Sequence, residues 1–213
     1  MELTPPYTMV ISGQTGSGKT YFVNNLLQNI ETTHDRDFDL IILAFSIMQP
    51  IYMKLKAKLG EKLELVEGFP TDKLNEITES TENKNILLIL DDMMVELEND
   101  KRIAVLFTKM RHRSVSTIFL VQNLYHEGKY MRTVTRNSHY LVIFENPRDA
   151  SMISTLGRQV FPETPKFLID AFNQATKKPF GYLLLDFKPG SDKKLRVREG
   201  LFPHEQAFVY LPK

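Results

Sequence analysis

No cysteine occurs among the 213 residues, which excludes disulfides and cysteine-ligated zinc and fits an intracellular protein. No apolar stretch reaches the ~18–20 residues that a membrane-spanning helix needs, so no membrane partner is expected. The opening "MELTPPYTMV" lacks a basic leader and the apolar core of a secretory signal; nothing in it addresses the chain for secretion. There is no internal repeat, no low-complexity tract and no Pro/Gly/Ser-rich linker. One domain over residues 1–213 is therefore expected, a length that suits a single α/β core. A guanine-reading N-K-x-D motif is also missing.

Net charge is only +1, with 42% hydrophobic and 25% charged residues. That near-neutrality hides a polarity along the chain. Residues 61–100 carry twelve acids against Lys62, Lys73 and Lys84, a balance of −9, while residues 101–136 carry eight Lys and Arg against Glu127 alone, a balance of +7. Solvated faces account for such blocks in many proteins; a basic surface for polyanions is the sharper alternative.

Apolar runs alternate with helical patterns. "YTMVIS" (7–12), "LIILAF" (40–45), "NILLIL" (85–90), "STIFLV" (116–121) and "HYLVIF" (139–144) read as strands, with "LELV" a short addition. Helices are expected from Lys19 to Thr33, over 51–59, around Ile103 to Met110, around 148–158 and over 164–175. Continuous apolar strands alternating with helices indicate a parallel sheet covered on both faces. "FGYLLLDF" and "KKLRVRE", joined through "KPGSD", read as a terminal hairpin. The tail after Arg198 holds Leu201, Phe202, Phe208, Val209, Tyr210 and Leu211, which pack on the core or dock on a partner.

Between the first strand and the first helix stands "GQTGSGKT", Gly13 to Thr20. It satisfies G-x-x-x-x-G-K-[ST] in the strand-to-helix context of a P-loop. Gly13, Gly16 and Gly18 let the backbone curl around phosphate oxygens, with Gln14, Thr15 and Ser17 completing the cradle and the helix N-terminus adding partial positive charge. Lys19 reaches the β- and γ-phosphates, and the Thr20 hydroxyl ligates Mg²⁺. ATP is the expected substrate.

"NILLILDD" places Asp91 at the carboxyl end of a strand, beside the metal. Asp92 follows it. Two adjacent strand-end carboxylates repel, so the second is better suited to chemistry, orienting and deprotonating a water that attacks the γ-phosphate. Capping the next segment is its alternative role, and Glu96 is a weaker candidate for the base. P-loop ATPases with a second carboxylate insert an extra strand between the loop strand and the Asp strand, tipped by a polar γ-phosphate sensor. Gln122 occupies that place in sequence order. An arginine finger contributes ~10³–10⁵ in rate in such enzymes; Arg111, Arg113, Arg132 and Arg136 are its candidates.

The ordered set "GQTGSGKT", "LLILDD", "MRHRSVSTIFLVQN", "TRNSHYLVIF" and "GYLLLDF…LRVREGLF" resembles the poxvirus-type DNA-packaging ATPases of the FtsK–HerA class, found in large DNA viruses, virophages and Maverick/Polinton-type elements. The resemblance covers about residues 7–203. It implies an α/β P-loop NTPase fold with a mainly parallel central sheet flanked by helices on both faces, plus a C-terminal β-hairpin. It also implies Lys19 and Thr20 on nucleotide and metal, Asp91 on Mg²⁺, Asp92 in the place of the catalytic carboxylate, where many relatives have Glu, and Gln122 as sensor. Arg136 of "RN" best matches the arginine that faces a neighbouring subunit's nucleotide. Members form rings of five or six subunits that drive double-stranded DNA, without sequence preference, into a preformed capsid, which makes a capsid protein a further partner. The expected location is the host cytoplasm or nucleus at the site of virion assembly. Two other classes stay open from the residues alone: a small-molecule or nucleotide kinase, with "TKMRHRS" as a lid, and a nucleotide-gated interaction module.

Overall fold

Runs of five to seven apolar residues are too short for stable helices and long enough for strands buried on both faces. The computed structural model, which describes residues 2–125, 127–147 and 150–212, assembles them into one sheet. Its strands are β1 (Thr8–Ser12), β2 (Leu40–Phe45), β3 (Leu63–Glu67), β4 (Ile86–Asp91), β5 (Val115–Val121), β6 (Tyr140–Phe144), β7 (Tyr182–Asp186), β8 (Val197–Glu199) and β9 (Phe208–Val209). Their spatial order is β3-β2-β4-β5-β1-β6-β7-β8-β9. β1 to β6 pair in parallel, and β7, β8 and β9 add on antiparallel. The extra strand expected between the loop strand and the Asp strand is β5.

Because side chains alternate along a strand, the sheet feeds two cores. Met9, Ile11, Ile41, Leu43, Leu87, Ile89, Ile118 and Leu120 join one, against helices Lys19–Gln28 and Pro50–Leu59. Val10, Ile42, Leu88, Leu90, Phe119 and Val121 join the other, against helices Lys101–Thr108, Met131–Arg136, Ala150–Val160 and Pro165–Ala175. Each fully buried Leu or Ile contributes about 1.5–3 kcal/mol, so these central strands form the rigid platform for whatever sits at their ends.

The structure departs from the sequence expectations in several places. The helix expected from Lys19 to Thr33 breaks at Asn29, giving Lys19–Gln28 and a short turn Ile30–Thr33. Asn29 donates its side-chain amide to Asn25 O, and its own carbonyl accepts from the Thr32 and Thr33 hydroxyls. Such local bonds compete with the helical ladder. Helices Thr71–Glu79 and Met131–Arg136 form where the sequence pattern predicts none. In the hairpin, Lys193–Leu195 forms a 3₁₀ turn, so β8 keeps only three residues. The expected start of the helix at 148 lies outside the described residues. The tail splits: Leu201 and Phe202 are buried, whereas Phe208, Val209 and Leu211 are exposed.

The N-terminal segment is pinned at His34, where Leu3 bridges to it. Tyr7 donates its hydroxyl to Nε2 at 3.0 Å, and Nδ1 lies 3.1 Å from Ile30 O, which fits a neutral ring protonated at Nδ1. Burial pushes the His34 pKa down to about 4. The unfolded ring takes up a proton near pH 6.5, so this site costs nothing above that pH. As pH falls from 6.5 towards 4, stability drops by about 3 kcal/mol. Urea unfolding from pH 7 to 4.5 should therefore show a smaller loss for His34→Gln than for the natural chain. Buried His139, also pushed down to about 4, contributes the same sign in both, so parallel profiles would contradict the assignment.

Candidate nucleotide site

The parallel strands point their carboxyl ends to one edge, and the loop after β1 turns there into helix Lys19–Gln28. Gly18 begins that helix at φ 110°, a left-handed conformation that favours glycine. The helix has no side-chain cap and no acid in its first turn, leaving its first N–H groups free for an anion. A Cβ on Gly13 would come within 2.8 Å of Phe144 Cβ, so the loop lies directly on β6.

Thr15, Gly16, Gly18, Lys19 and Thr20 line a cavity of about 450 Å³. Gln14 and Ser17 face an adjoining hollow on the loop's outer side. Lys19 folds back, donating its Nζ to Gly13 O at 2.6 Å and Gln14 O at 3.1 Å. Burial lowers its pKa, and Asp91 and Asp92 pull it back up; the ammonium holds the loop in shape and faces two carboxylates across the cavity.

Asp91 ends β4 and is 4% exposed. Its Oδ2 accepts from the Thr20 hydroxyl at 3.1 Å and from the Tyr52 hydroxyl at 2.7 Å. Burial raises its pKa, opposed by those two donors and by Lys19, while Asp92 adds repulsion. A hydroxyl and a carboxylate this close suit Mg²⁺, which takes one or two protein oxygens and keeps waters or phosphates on its other positions. Among the described residues, no group of three or more His, Asp or Glu could hold a metal alone.

Asp92 and Gln122 line the same cavity as the loop. Asp92 leaves the strand at φ 57° and holds Ser46 Oγ on its backbone carbonyl at 2.8 Å. It does not cap the next helix, whose N-cap is Met93, without a side-chain bond. Glu96 lies outside the cavity lining and accepts from Ser46 Oγ at 3.1 Å. Gln122 follows the last residue of β5, as its place in the sequence implied.

No arginine among the described residues lines this cavity. Arg132 and Arg136 are exposed and share a different hollow with Glu127 and Gln159. Arg111 and Arg113 belong to the turn before β5, at the opposite edge of the sheet, where Arg111 meets His139 Nε2 at 2.7 Å. The segment "TKMRHRS" is thus remote from the phosphate loop and forms no lid over it.

Sequence reasoning missed Tyr52, Gln49 and Tyr21, which join the site from two helices and the turn before one of them. Tyr52 reads in sequence as an ordinary core aromatic; only the tertiary fold brings it to Asp91, 39 residues on.

A profile of the poxvirus A32 protein family matches residues 2–155. No curated protein matches the sequence. Among solved structures, the cytoplasmic domain of the Thermomonospora curvata Type VII secretion ATPase EccC is similar, with a TM-score of 0.54 and 12% identity, over 95% of this chain and 25% of that one. EssC (ATPases 2 and 3) from Geobacillus thermodenitrificans is similar at a TM-score of 0.54 and 12% identity, over 96% of this chain and 39% of that one. This chain thus spans well under half the length of either, and at that identity the likeness speaks to fold alone. The resemblance seen in the motifs is matched by family and by fold: the chain shares the fold of these solved ATPases and belongs to the poxvirus A32 protein family.

Proposed function

We propose that the chain is one subunit of a ring, five or six copies strong, that hydrolyses ATP to drive double-stranded DNA into a preformed capsid. The observation that carries the chemistry is the single cavity lined by Lys19, Thr20, Asp91, Asp92 and Gln122. Lys19 and the loop amides hold the triphosphate. Thr20 and Asp91 hold Mg²⁺, which when bound neutralises charge developing on the phosphate oxygens. Asp92 accepts the proton of the attacking water, and Gln122 hydrogen-bonds the terminal phosphate. Among the described residues the cavity's lining offers no cation beyond Lys19, which supports a finger lent by the next subunit; exposed Arg136 is our assignment. DNA as cargo, a capsid protein as partner and an intracellular site of action belong to the same proposal, which membership of the poxvirus A32 protein family supports.

The test measures ATP turnover per subunit against protein concentration, with and without duplex DNA. Turnover should rise with concentration as rings assemble, and rise again with DNA of any sequence. DNA binding through phosphates should weaken by orders of magnitude between about 50 and 200 mM salt, as about 6–10 neutralised phosphates require. A rate per subunit that ignores both concentration and DNA would remove the motor reading and leave a nucleotide-gated module.

A further inference from the structure

Beside the phosphate cavity opens a second hollow of about 380 Å³, and the two share Gly18 and Tyr21. Its outer wall is Phe180, which precedes β7 and is 60% exposed. Phe180 has φ 59°. A bulky residue in the left-handed region is a backbone outlier, and such strain clusters at ligand sites. Nothing in the core needs this ring: it stands in solvent, against the loop glycine that starts the first helix. A Cβ on Gly18 would come within 2.9 Å of Phe180 Cδ1. Tyr21, one residue past the metal-binding Thr20, is 54% exposed and faces it, with ring centroids 6.1 Å apart and planes at 38°.

We propose that the base of the bound nucleotide stacks on Phe180, with Tyr21 as the opposing ring. The proposal rests on the nucleotide reading above and names the part of the ligand that reading leaves unplaced. A flat base between two rings needs centroids about 7 Å apart, twice the ~3.5 Å contact distance. Both rings are exposed, and a shift of about 1 Å with a rotation that closes the 38° tilt opens that gap. The hollow adjoins the phosphate cavity through Tyr21, so a ribose spans the two. Asn25 and Gln206 line it as well, and their amides both donate and accept at a base edge. Stacking is tolerant of base identity, so the platform supplies affinity more than selectivity.

The experiment compares ATP with inorganic tripolyphosphate, which lacks base and sugar, each with Mg²⁺, by titration calorimetry. Phe180→Asn removes the ring while keeping a residue that tolerates the left-handed backbone. Phe180→Trp keeps a platform, and Tyr21→Ala removes the facing ring. Phe180→Asn should weaken ATP by about 10-fold or more and leave tripolyphosphate within about 2-fold, since stacking is what it deletes. Tyr21→Ala should lose ATP affinity selectively too, and Phe180→Trp should retain it. Equal losses for ATP and tripolyphosphate, or unchanged ATP affinity in both ring-deleting variants, would overturn the platform. A natural chain that binds ATP no tighter than tripolyphosphate would overturn it while sparing the phosphate site; one that binds neither would remove the nucleotide reading itself.

Discussion

Lys19→Ala weakens ATP binding by about 100-fold or more, measured by calorimetry with Mg²⁺. Two losses add. The ammonium contributes charge-assisted bonds to the phosphates, each ~1.5–3 kcal/mol, and every ~1.4 kcal/mol is tenfold in affinity. It also braces the loop through Gly13 O and Gln14 O, so its removal slackens the cradle. Asp91 and Asp92 face the same cavity, and without the cation between them they repel an incoming polyphosphate. Lys19→Arg retains charge but needs more room than the tight turn gives, and should recover only part of the affinity. Affinity within about threefold of the natural chain would show that the loop does not hold phosphate.

Asp92→Asn leaves ATP bound and cuts hydrolysis by about 10²–10⁴, the range of a lost general base. The substitution isolates the chemistry, because Asn accepts the φ of 57° that Asp92 adopts and leaves the backbone carbonyl on Ser46 in place. Alanine would add backbone strain to the lost carboxylate. The readout is single-turnover hydrolysis beside a binding measurement on the same sample. Near-normal turnover would transfer the base to Glu96, which would first have to leave Ser46. Such dead but nucleotide-loaded subunits also report on the finger. Rings mixed from Asp92→Asn and Arg136→Ala subunits should regain turnover, since one partner supplies the carboxylate and the other the arginine. Assembled mixtures that stay inactive would point to Arg132 or Arg113 instead.

How much of this was written in the chain depends on the range of the interaction. The central strands were legible because burial on both faces demands unbroken apolar runs, as in "LIILAF" and "NILLIL". Helix Thr71–Glu79 was not, because it buries only Leu74 and half-buries Ile77 and so carries a thin apolar stripe. Helix Met131–Arg136 hides for a related reason: six residues give too little periodicity to read. In the site, the phosphate loop and Asp91 announce themselves through local spacing. Asp92 and Gln122 could be placed by their position after apolar strands. Tyr52 and Phe180 could not, since each reaches the cleft only through packing between distant segments, and nothing beside them in sequence marks the contact.

The interposition of β5 has a metric consequence. Adjacent strands run about 4.8 Å apart, so the backbones of β1 and β4 stand about 10 Å from each other, twice what direct neighbours would leave. That width leaves a slot lined by Gln122 after β5 and Asp92 after β4, and under the proposed function it takes the terminal phosphoryl group and one solvent molecule. Were β1 and β4 to touch, the lysine and the carboxylates would neutralise one another and the slot would close.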